Sequence, residues 1–161
     1  MSAGSDFPNV DHVHVRPGET CDAPSLRELA RDSYSQYVDA EGSEPEPMKT
    51  DYLAAIERGH TWVAQLRDEI VGLLILEPYP DYLLLDNIAV ANRLRGHGIG
   101  RLLMDFSEQR ASELGLPEIR LYTGAVMTQN RHYYAHRGFT ETRRAFERGH
   151  HRVYYSKSLQ R

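Results

Sequence analysis

The sequence is poor in cysteine and in long apolar runs, and each shortage excludes a class of protein. Cys21 is the only cysteine in 161 residues, so no intramolecular disulfide can form, and nothing beside it activates the thiol. No apolar run approaches the ~20 residues that cross a bilayer. The first eight residues also lack the basic flank and apolar stretch of a secretion signal. We therefore expect a cytoplasmic protein with no membrane partner.

The chain also lacks an excess of positive charge, with 19 Lys and Arg against 23 Asp and Glu. The formal net charge is −4 and the pI is near 6.0, so the chain has no basic field that would bind a phosphate backbone, and we expect no nucleic-acid partner. Hydrophobic residues make up 40% and charged residues 26%, which is typical of a globular protein. The length suits one compact domain over residues 10–161, preceded by a flexible N-terminus over residues 1–9.

The hydrophobic periodicity changes often along the chain and predicts alternating strands and helices. Strands are predicted at Val10–Arg16, His60–Leu66, Ile70–Glu77, Tyr82–Val90 and Glu118–Gly124, with a closing hairpin of Phe139–Phe146 and Arg152–Ser158. Helices are predicted at Ala23–Ala40, Met48–Arg58, Gly98–Leu114 and Gln129–Arg137. Two prolines make residues 41–47 an acidic loop, because proline cannot continue a helix.

A glycine-rich segment joins the apolar strand at Tyr82–Val90 to the longest helix. Gly96, Gly98 and Gly100 stand at alternate positions where that helix begins. The first N–H groups of a helix lack partners and its dipole is positive there, so glycines at this point let a phosphate approach the backbone. Three arginines, at positions 93, 95 and 101, add forked donors that suit phosphate oxygens. The segment predicts an anion site, although a tight strand-to-helix turn also explains glycines here.

Two better-known phosphate motifs do not fit this segment. A Walker loop requires Gly-Lys-Ser/Thr, and the only lysines of the chain are Lys49 and Lys157. The dinucleotide fingerprint requires glycine where Arg101 or Leu103 stands. A protein that binds ATP through this loop is therefore disfavoured.

The segment instead resembles the signature Arg/Gln-x-x-Gly-x-Gly/Ala of the GNAT superfamily of acetyl-CoA-dependent N-acetyltransferases. Arg95, Gly98 and Gly100 match it, and Asn87–Val90 is similar to the end of that family's fourth strand. The resemblance covers nearly the whole chain. It implies an α/β (α+β) fold with a single mixed, largely antiparallel sheet of about seven strands, in which strands 4 and 5 splay apart, flanked by about four helices.

The resemblance also implies acetyl-CoA as co-substrate and assigns the residues that hold it. In the family the pantetheine arm bonds to strand backbone between the splayed strands. On this sequence the pantetheine and the acetyl carbonyl are assigned to Ile88, Ala89 and Val90. The pyrophosphate is assigned to Arg95, Gly96, His97, Gly98, Ile99, Gly100 and Arg101.

A second stretch resembles the family's other signature, in which an asparagine precedes a helix that carries tyrosine four residues before Gly-Phe. Asn130, Tyr134 and Gly138-Phe139 match, so the resemblance implies Tyr134 as general acid and Asn130 as a cofactor contact. A phenol of pKa about 10 can protonate a thiolate whose conjugate acid has a pKa near 8.5. Core packing is the alternative role for Tyr134.

The sequence departs from the family pattern at the position of the general base. Some family members place a glutamate on the fifth strand where this sequence has Tyr122, so Asp86 becomes the candidate. The alternatives are a partly buried Asp86 that bonds only to backbone, a base acting through water, or no base with an α-amine. Acidic residues between the first two helices, Glu41, Glu44 and Glu46, would favour a cationic acceptor, and a solvated loop explains them equally well.

No metal site is expected. His132 and His136 share a helix face, but Tyr133 stands where the glutamate of H-E-x-x-H would be, and no third ligand is indicated. His150 and His151 fall in the predicted hairpin turn and are interpreted as solvated surface. The sequence thus predicts an enzyme that acetylates a primary amine of a small molecule or peptide. A non-catalytic acyl-CoA-binding module is the alternative, and a homodimer is left open.

Overall fold

The computed structural model describes residues 9–37 and 45–159. Residues 1–8, 38–44 and 160–161 lie outside this description. Most of the predicted flexible N-terminus therefore lies outside it, as do the last three residues of the first predicted helix. The acidic residues Glu41 and Glu44 also lie there, whereas Glu46 is described.

A single seven-stranded sheet has the order β1-β2-β3-β4-β5-β7-β6. Its strands are Val13–Pro17, Thr61–Leu66, Glu69–Pro78, Leu83–Val90, Glu118–Gly124, Thr140–Glu147 and His150–Ser158, numbered β1 to β7 along the chain. Each neighbouring pair in this sheet is antiparallel except β4 and β5, which are parallel. The predicted mixed, largely antiparallel sheet is confirmed.

Helices cover both faces of the sheet. They are Ala23–Tyr34, Glu46–Lys49, Tyr52–Glu57, Ile99–Glu113 and Thr128–His136, numbered α1 to α5. Both α1 and α4 contact β3, and six consecutive residues of that strand, Val71–Leu76, are buried. A run of buried residues, rather than alternation, is the pattern of a strand covered on both sides. The core therefore lies around β3 and β4.

The structure differs from the predicted elements at the N-terminal end. Val10–His12 forms a 3₁₀ turn, and β1 begins only at Val13. The side chain of Asn9 accepts a hydrogen bond from the backbone N–H of Asp11 at 3.0 Å, which favours the turn over an extended chain. The first helix ends at Tyr34, and a 3₁₀ turn follows at Ser35–Tyr37.

The second predicted helix is interrupted. Thr50 is extended, with ψ 136°, and separates α2 from α3. Asp51 explains the break, because its side chain accepts the N–H of Ala54 at 3.1 Å and so caps a new helix. The capping residue was visible in the sequence, whereas the prediction ran a single helix across it.

The closing hairpin is tighter than predicted. Arg148 and Gly149 both have positive φ, 51° and 82°, which suits a two-residue hairpin turn. The strand β7 therefore begins at His150, two residues earlier than expected. His150 is 5% exposed, so its interpretation as solvated surface is wrong, while His151 is exposed.

The parallel strands β4 and β5 separate part-way along their length. They pair only over Leu83–Leu85 and Ile119–Leu121, although both strands continue further. On the other side of β4, Leu85 pairs with Leu76 and Asn87 with Ile75, so Asp86 is an extra residue in a bulge. The predicted splay of the fourth and fifth strands is confirmed, and it opens just where the bulge lies. No described helix has the length and apolar character needed to cross a membrane.

Candidate active site

Two cavities lie where β4 and β5 diverge. We call the first the glycine-loop cavity; it is bordered by the end of α1, the last three residues of β4, the glycine segment and α5. The second, the bulge cavity, is bordered by the start of α2, the bulge of β4, β5 and the start of β7. The two cavities share four lining residues: Tyr34, Ile88, Asn130 and Tyr134. They therefore meet in the gap between the strands.

The glycine segment, predicted to bind an anion, lies at one end of the glycine-loop cavity. Gly98 has φ +90° and is the N-cap of α4, so the first N–H groups of this 15-residue helix face the segment. Gly96 has φ +82°, and a Cβ added there would meet no atom within 4 Å. Gly96 and Gly100 both line the cavity. The backbone is thus open to an approaching phosphate.

The arginines of this segment have different environments. Arg95 lines the cavity, and its Nη2 donates to the backbone carbonyl of Ser33 at the end of α1, at 2.9 Å. Arg93 is paired with Glu69 on β3. Arg101 is exposed on the first turn of α4. Of the remaining predicted contacts, Ile99 is 2% exposed, so its side chain belongs to the core and only its backbone can serve a ligand.

Asn130 and Tyr134 lie one turn apart on α5, so they share a helix face. Tyr134 is 6% exposed, and its ring packs against Phe139 and Tyr155 with centroid separations of 5.8 and 6.0 Å. Its hydroxyl makes no hydrogen bond within the described part of the chain. Burial raises the pKa of Tyr134, with Tyr133 and Tyr155 adding to the effect. The side chain combines core packing with a protonated hydroxyl at the junction of the cavities.

The position of α5 is fixed at its C-terminal end. Gly138 has φ +95° and ends the helix, and the N–H of Phe139 bonds to the carbonyl of Tyr134 at 3.0 Å. Arg137 donates to Asp105 on α4 at 3.0 Å and also contacts Glu108. Gly138 and Phe139 thus fix the end of α5 and, with it, the position of Tyr134 between the two cavities.

Asp86, the candidate base, borders the bulge cavity together with Tyr122 and Glu46. Burial raises the pKa of Asp86, and the charge of Glu77 raises it further, while Arg58, Arg152 and contact with Tyr122 oppose the shift. Burial and the charge of Asp86 raise the pKa of Tyr122 to about 12. In the described residues no backbone group bonds to the Asp86 carboxylate, so the role limited to backbone contacts is not supported.

A family model described as the Acetyltransferase (GNAT) family matches residues 23–139 of the chain, which include both signatures. The chain belongs to the GNAT family. It is therefore an acetyl-CoA-dependent N-acetyltransferase, and the family assignment favours catalysis over a purely binding module. No curated protein matches this GNAT chain.

Solved structures share the fold at low sequence identity. The PaiA N-acetyltransferase of Thermoplasma acidophilum, in complex with coenzyme A, is 18% identical over 91% of this chain and 98% of its own, with a TM-score of 0.76. A GNAT acetyltransferase of Elizabethkingia anophelis with acetyl-CoA bound is 20% identical over 92% and 99%, with a TM-score of 0.67. The ribosomal-protein-S18-alanine N-acetyltransferase of Escherichia coli is 15% identical over 92% and 95%, with a TM-score of 0.75.

Several residues of this GNAT site were missed by the sequence analysis, among them Tyr34, His150 and Arg152. Tyr34 has helical spacing and looks like any core aromatic, yet it lines both cavities. His150 and Arg152 line the bulge cavity from β7. Period-two alternation along β7 marks His150 and Arg152 as facing one side, but it does not show that this side faces the cleft. Which way this side faces follows only from the pairing of β7 with β5.

Proposed function

We propose that this acetyltransferase moves the acetyl group of acetyl-CoA to a primary amine by direct attack in a ternary complex. The observation that carries the proposal is the meeting of the two cavities at Tyr134 and Asn130. One cavity ends at a helix N-terminus suited to phosphates. The other holds carboxylates suited to an amine. The acetyl group is transferred at the junction.

The donor would lie along β4 in the glycine-loop cavity. Ile88, Ala89 and Val90 pair with β3 on one side but have no pairing with β5 on the other. An extended pantetheine amide chain can bond to such a free strand edge as an added strand would. Gly96 to Arg101, with Arg95, would bind the pyrophosphate, and Asn130 would contact the arm near the thioester.

Tyr134 would act as general acid. When the amine nitrogen attacks the acetyl carbonyl carbon, the C–N bond forms and the C–S bond breaks, so the sulfur leaves with an electron pair and needs a proton. The raised pKa of Tyr134 keeps its hydroxyl protonated throughout the neutral range. The proton is therefore present on Tyr134 when the thiolate departs, while the same raised pKa makes this phenol a weaker acid than an exposed tyrosine.

Asp86 would accept the proton that the amine loses. A lysine-like amine of pKa ~10.4 must lose its proton against about 4.6 kcal/mol at pH 7, whereas an α-amine near 7.8 requires only about 1 kcal/mol. A carboxylate whose pKa is raised by burial is a stronger base than an exposed one, and Asp86 borders the cavity that would hold the amine. This arrangement supports Asp86 as the base.

No covalent enzyme intermediate is proposed. Cys21, the only cysteine, is exposed, and its thiol contacts Glu19 at 3.7 Å, away from the residues that line the two cavities. Cys21→Ala should keep wild-type turnover. Complete loss of activity in that variant would contradict direct attack.

The proposal is tested by measuring CoA release with amines, polyamines, amino acids and peptides, using wild type and Tyr134→Phe side by side. We expect Tyr134→Phe to bind acetyl-CoA within a few-fold of wild type and to lose about 100- to 10,000-fold in kcat, the usual contribution of a general acid. Tyr155→Phe is the matched control, since Tyr155 is equally buried against Tyr134 but lines neither cavity.

Wild-type kcat in Tyr134→Phe would contradict the role of this hydroxyl. If acetyl-CoA binds tightly and no amine in the panel releases CoA, the transfer itself is contradicted and an acyl-CoA-binding role is supported instead.

A further inference from the structure

Arg152 on β7 is a buried cation that faces the bulge cavity. It is 8% exposed and lines this cavity together with Asp86, Glu46 and Tyr122. Its Nη1 donates to Glu147 on β6 at 3.2 Å. Within the described residues, Nη2 is buried and has no hydrogen-bond partner. A buried charged donor without an acceptor is costly, so its presence points to a ligand.

The charges of the bulge cavity are kept apart. The guanidinium of Arg152 lies over the ring of Tyr122, 4.4 Å from the centroid. Tyr122 lies on β5, between β7 and β4, and it also contacts Asp86 on β4. Arg152 and Asp86 form no ion pair in the described part of the chain, although both border the same cavity. Among the described residues, the cavity therefore offers an acidic group and one donor nitrogen without a hydrogen-bond partner, Nη2 of Arg152, separated by one aromatic ring.

We propose that the acceptor of this enzyme carries a carboxylate as well as its amine, and that Arg152 binds that carboxylate. The inference rests on the proposed function, because it places the amine of the same acceptor beside Asp86. A guanidinium recognises a carboxylate through parallel N–H···O bonds, and Nη2 supplies a free donor for one of them. The acceptor class is thus an amino acid or a similar small amino-carboxylate.

The shape and charge of the cavity agree with this class. Its volume is about 80 Å³, which suits a small acceptor. A diamine or polyamine would bring a second cation towards Arg152, and like charges at close range repel. A zwitterion would satisfy both ends of the cavity.

The test compares each amino acid with its own amide: glycine with glycinamide, β-alanine with β-alaninamide, and 4-aminobutyrate with its amide. For wild type we expect kcat/KM to favour at least one acid over its amide by about 10- to 100-fold, the usual effect of a charge-assisted hydrogen bond. In Arg152→Met this ratio should fall by the same factor, mainly through KM of the acid. Comparing ratios between variants cancels the difference in amine basicity.

Two further variants keep the result interpretable. Arg152→Lys retains a cation without the fork and should restore part of the preference. Arg143→Met is the matched control, because Arg143 also stacks on a tyrosine, Tyr154, at 3.9 Å but is exposed and outside the bulge cavity. This variant should keep the wild-type ratio. If Arg152→Met does not fold, the wild-type ratio and Arg152→Lys still decide.

The outcomes separate this inference from the function on which it rests. Turnover of amides and diamines that equals or exceeds turnover of the acids would overturn the carboxylate site and leave amine acetylation standing. If nothing releases CoA, calorimetry of the same acids and amides with the CoA-bound protein decides: acid-selective binding that Arg152→Met abolishes supports the site, and equal or absent binding overturns it.

Discussion

Tyr34 at the end of α1 donates its hydroxyl proton to the backbone carbonyl of Ile88 on β4, at 2.8 Å. The same hydroxyl lies 3.4 Å from Oδ1 of Asn87, whose Nδ2 donates to the hydroxyl of Tyr52 at 3.0 Å. These bonds connect α1, α3 and the strand edge at the point where the two cavities meet. The peptide of Ile88, assigned to the acetyl end of the cofactor, is therefore oriented by a side chain from a separate helix.

Tyr34→Phe should weaken both the fold and the site. The variant loses one buried hydrogen bond, which contributes about 0.5–1.5 kcal/mol to the free energy of unfolding. It should also lower kcat/KM for the amine several-fold, because the Ile88 peptide loses its fixed orientation. Urea denaturation and steady-state kinetics measure the two effects. Tyr79→Phe, at a half-exposed tyrosine beyond the end of β3, is the control and should change neither quantity.

Asp86→Asn should remove the acidic limb of the pH profile of kcat/KM. The base must be ionised to act, and its pKa is raised, so wild-type activity should decline at a higher pH than an ordinary carboxylate would give. The variant should lose about 100-fold or more at neutral pH, as expected for a general base. Retention of the limb in Asp86→Asn would place the base elsewhere.

Glu77→Gln should shift the acidic limb of the pH profile without removing it. The charge of Glu77 raises the pKa of Asp86, so removing this charge lowers that pKa and should move the acidic limb to lower pH. Glu77 does not line the bulge cavity, and its carboxylate contacts Arg58 at 3.2 Å. An unmoved limb would show that the titrating group is not Asp86.

Gly98→Ala should impair acetyl-CoA binding beyond its effect on stability. Gly98 and Gly115 lie at opposite ends of α4 with φ of +90° and +71°, so alanine at either costs about 1–2 kcal/mol of backbone strain. Only Gly98 shapes the predicted phosphate site, and Gly98→Ala should therefore raise KM for acetyl-CoA. Thermal melts should show equal stability losses in the two variants. Kinetics should show a normal KM for acetyl-CoA in Gly115→Ala. A raised KM in both variants would contradict the assignment.

Asp22→Asn should destabilise the protein at neutral pH and have little effect in acid. Arg16 bonds to both carboxylate oxygens of Asp22, at 2.8 and 3.1 Å, and the N–H of Glu19 adds a third bond at 2.7 Å. These bonds lower the pKa of Asp22. The stabilisation is therefore complete above the unfolded pKa near 3.9 and is lost as pH falls through the folded pKa.

Denaturation at several pH values measures this effect. Asp22→Asn should cost about 1.5–3 kcal/mol at pH 7, the range for hydrogen bonds to charged groups. The difference from wild type should shrink below about pH 4 as Asp22 of the wild type becomes protonated. Asp68→Asn, in the exposed turn between β2 and β3, is the control and should follow wild type throughout. A cost that does not change with pH would contradict the ion pair as its source.

The sequence predicts an element correctly where nearby residues alone decide its structure. The sequence predicts both ends of α4 within one residue of the observed ends. Apolar periodicity shows the helix, and the glycines with positive φ at its two ends show where it begins and ends. The same locality explains the errors: the Asn9 cap makes a 3₁₀ turn of Val10–His12, and the Asp51 cap divides a helix. In these cases a single side-chain hydrogen bond outweighs the hydrophobic pattern.

For this protein, the sequence by itself determined the family, the glycine segment at the start of α4 and the helix that carries Tyr134, because these depend on residues close together in the chain. The tertiary structure alone decided which side chains line the bulge cavity. Tyr34, Asp86 and Arg152 come from three elements, and they meet only because β4 bulges, β5 diverges from it and β7 pairs along β5. Such long-range pairing is set by the packing of the whole sheet, and no local pattern records it.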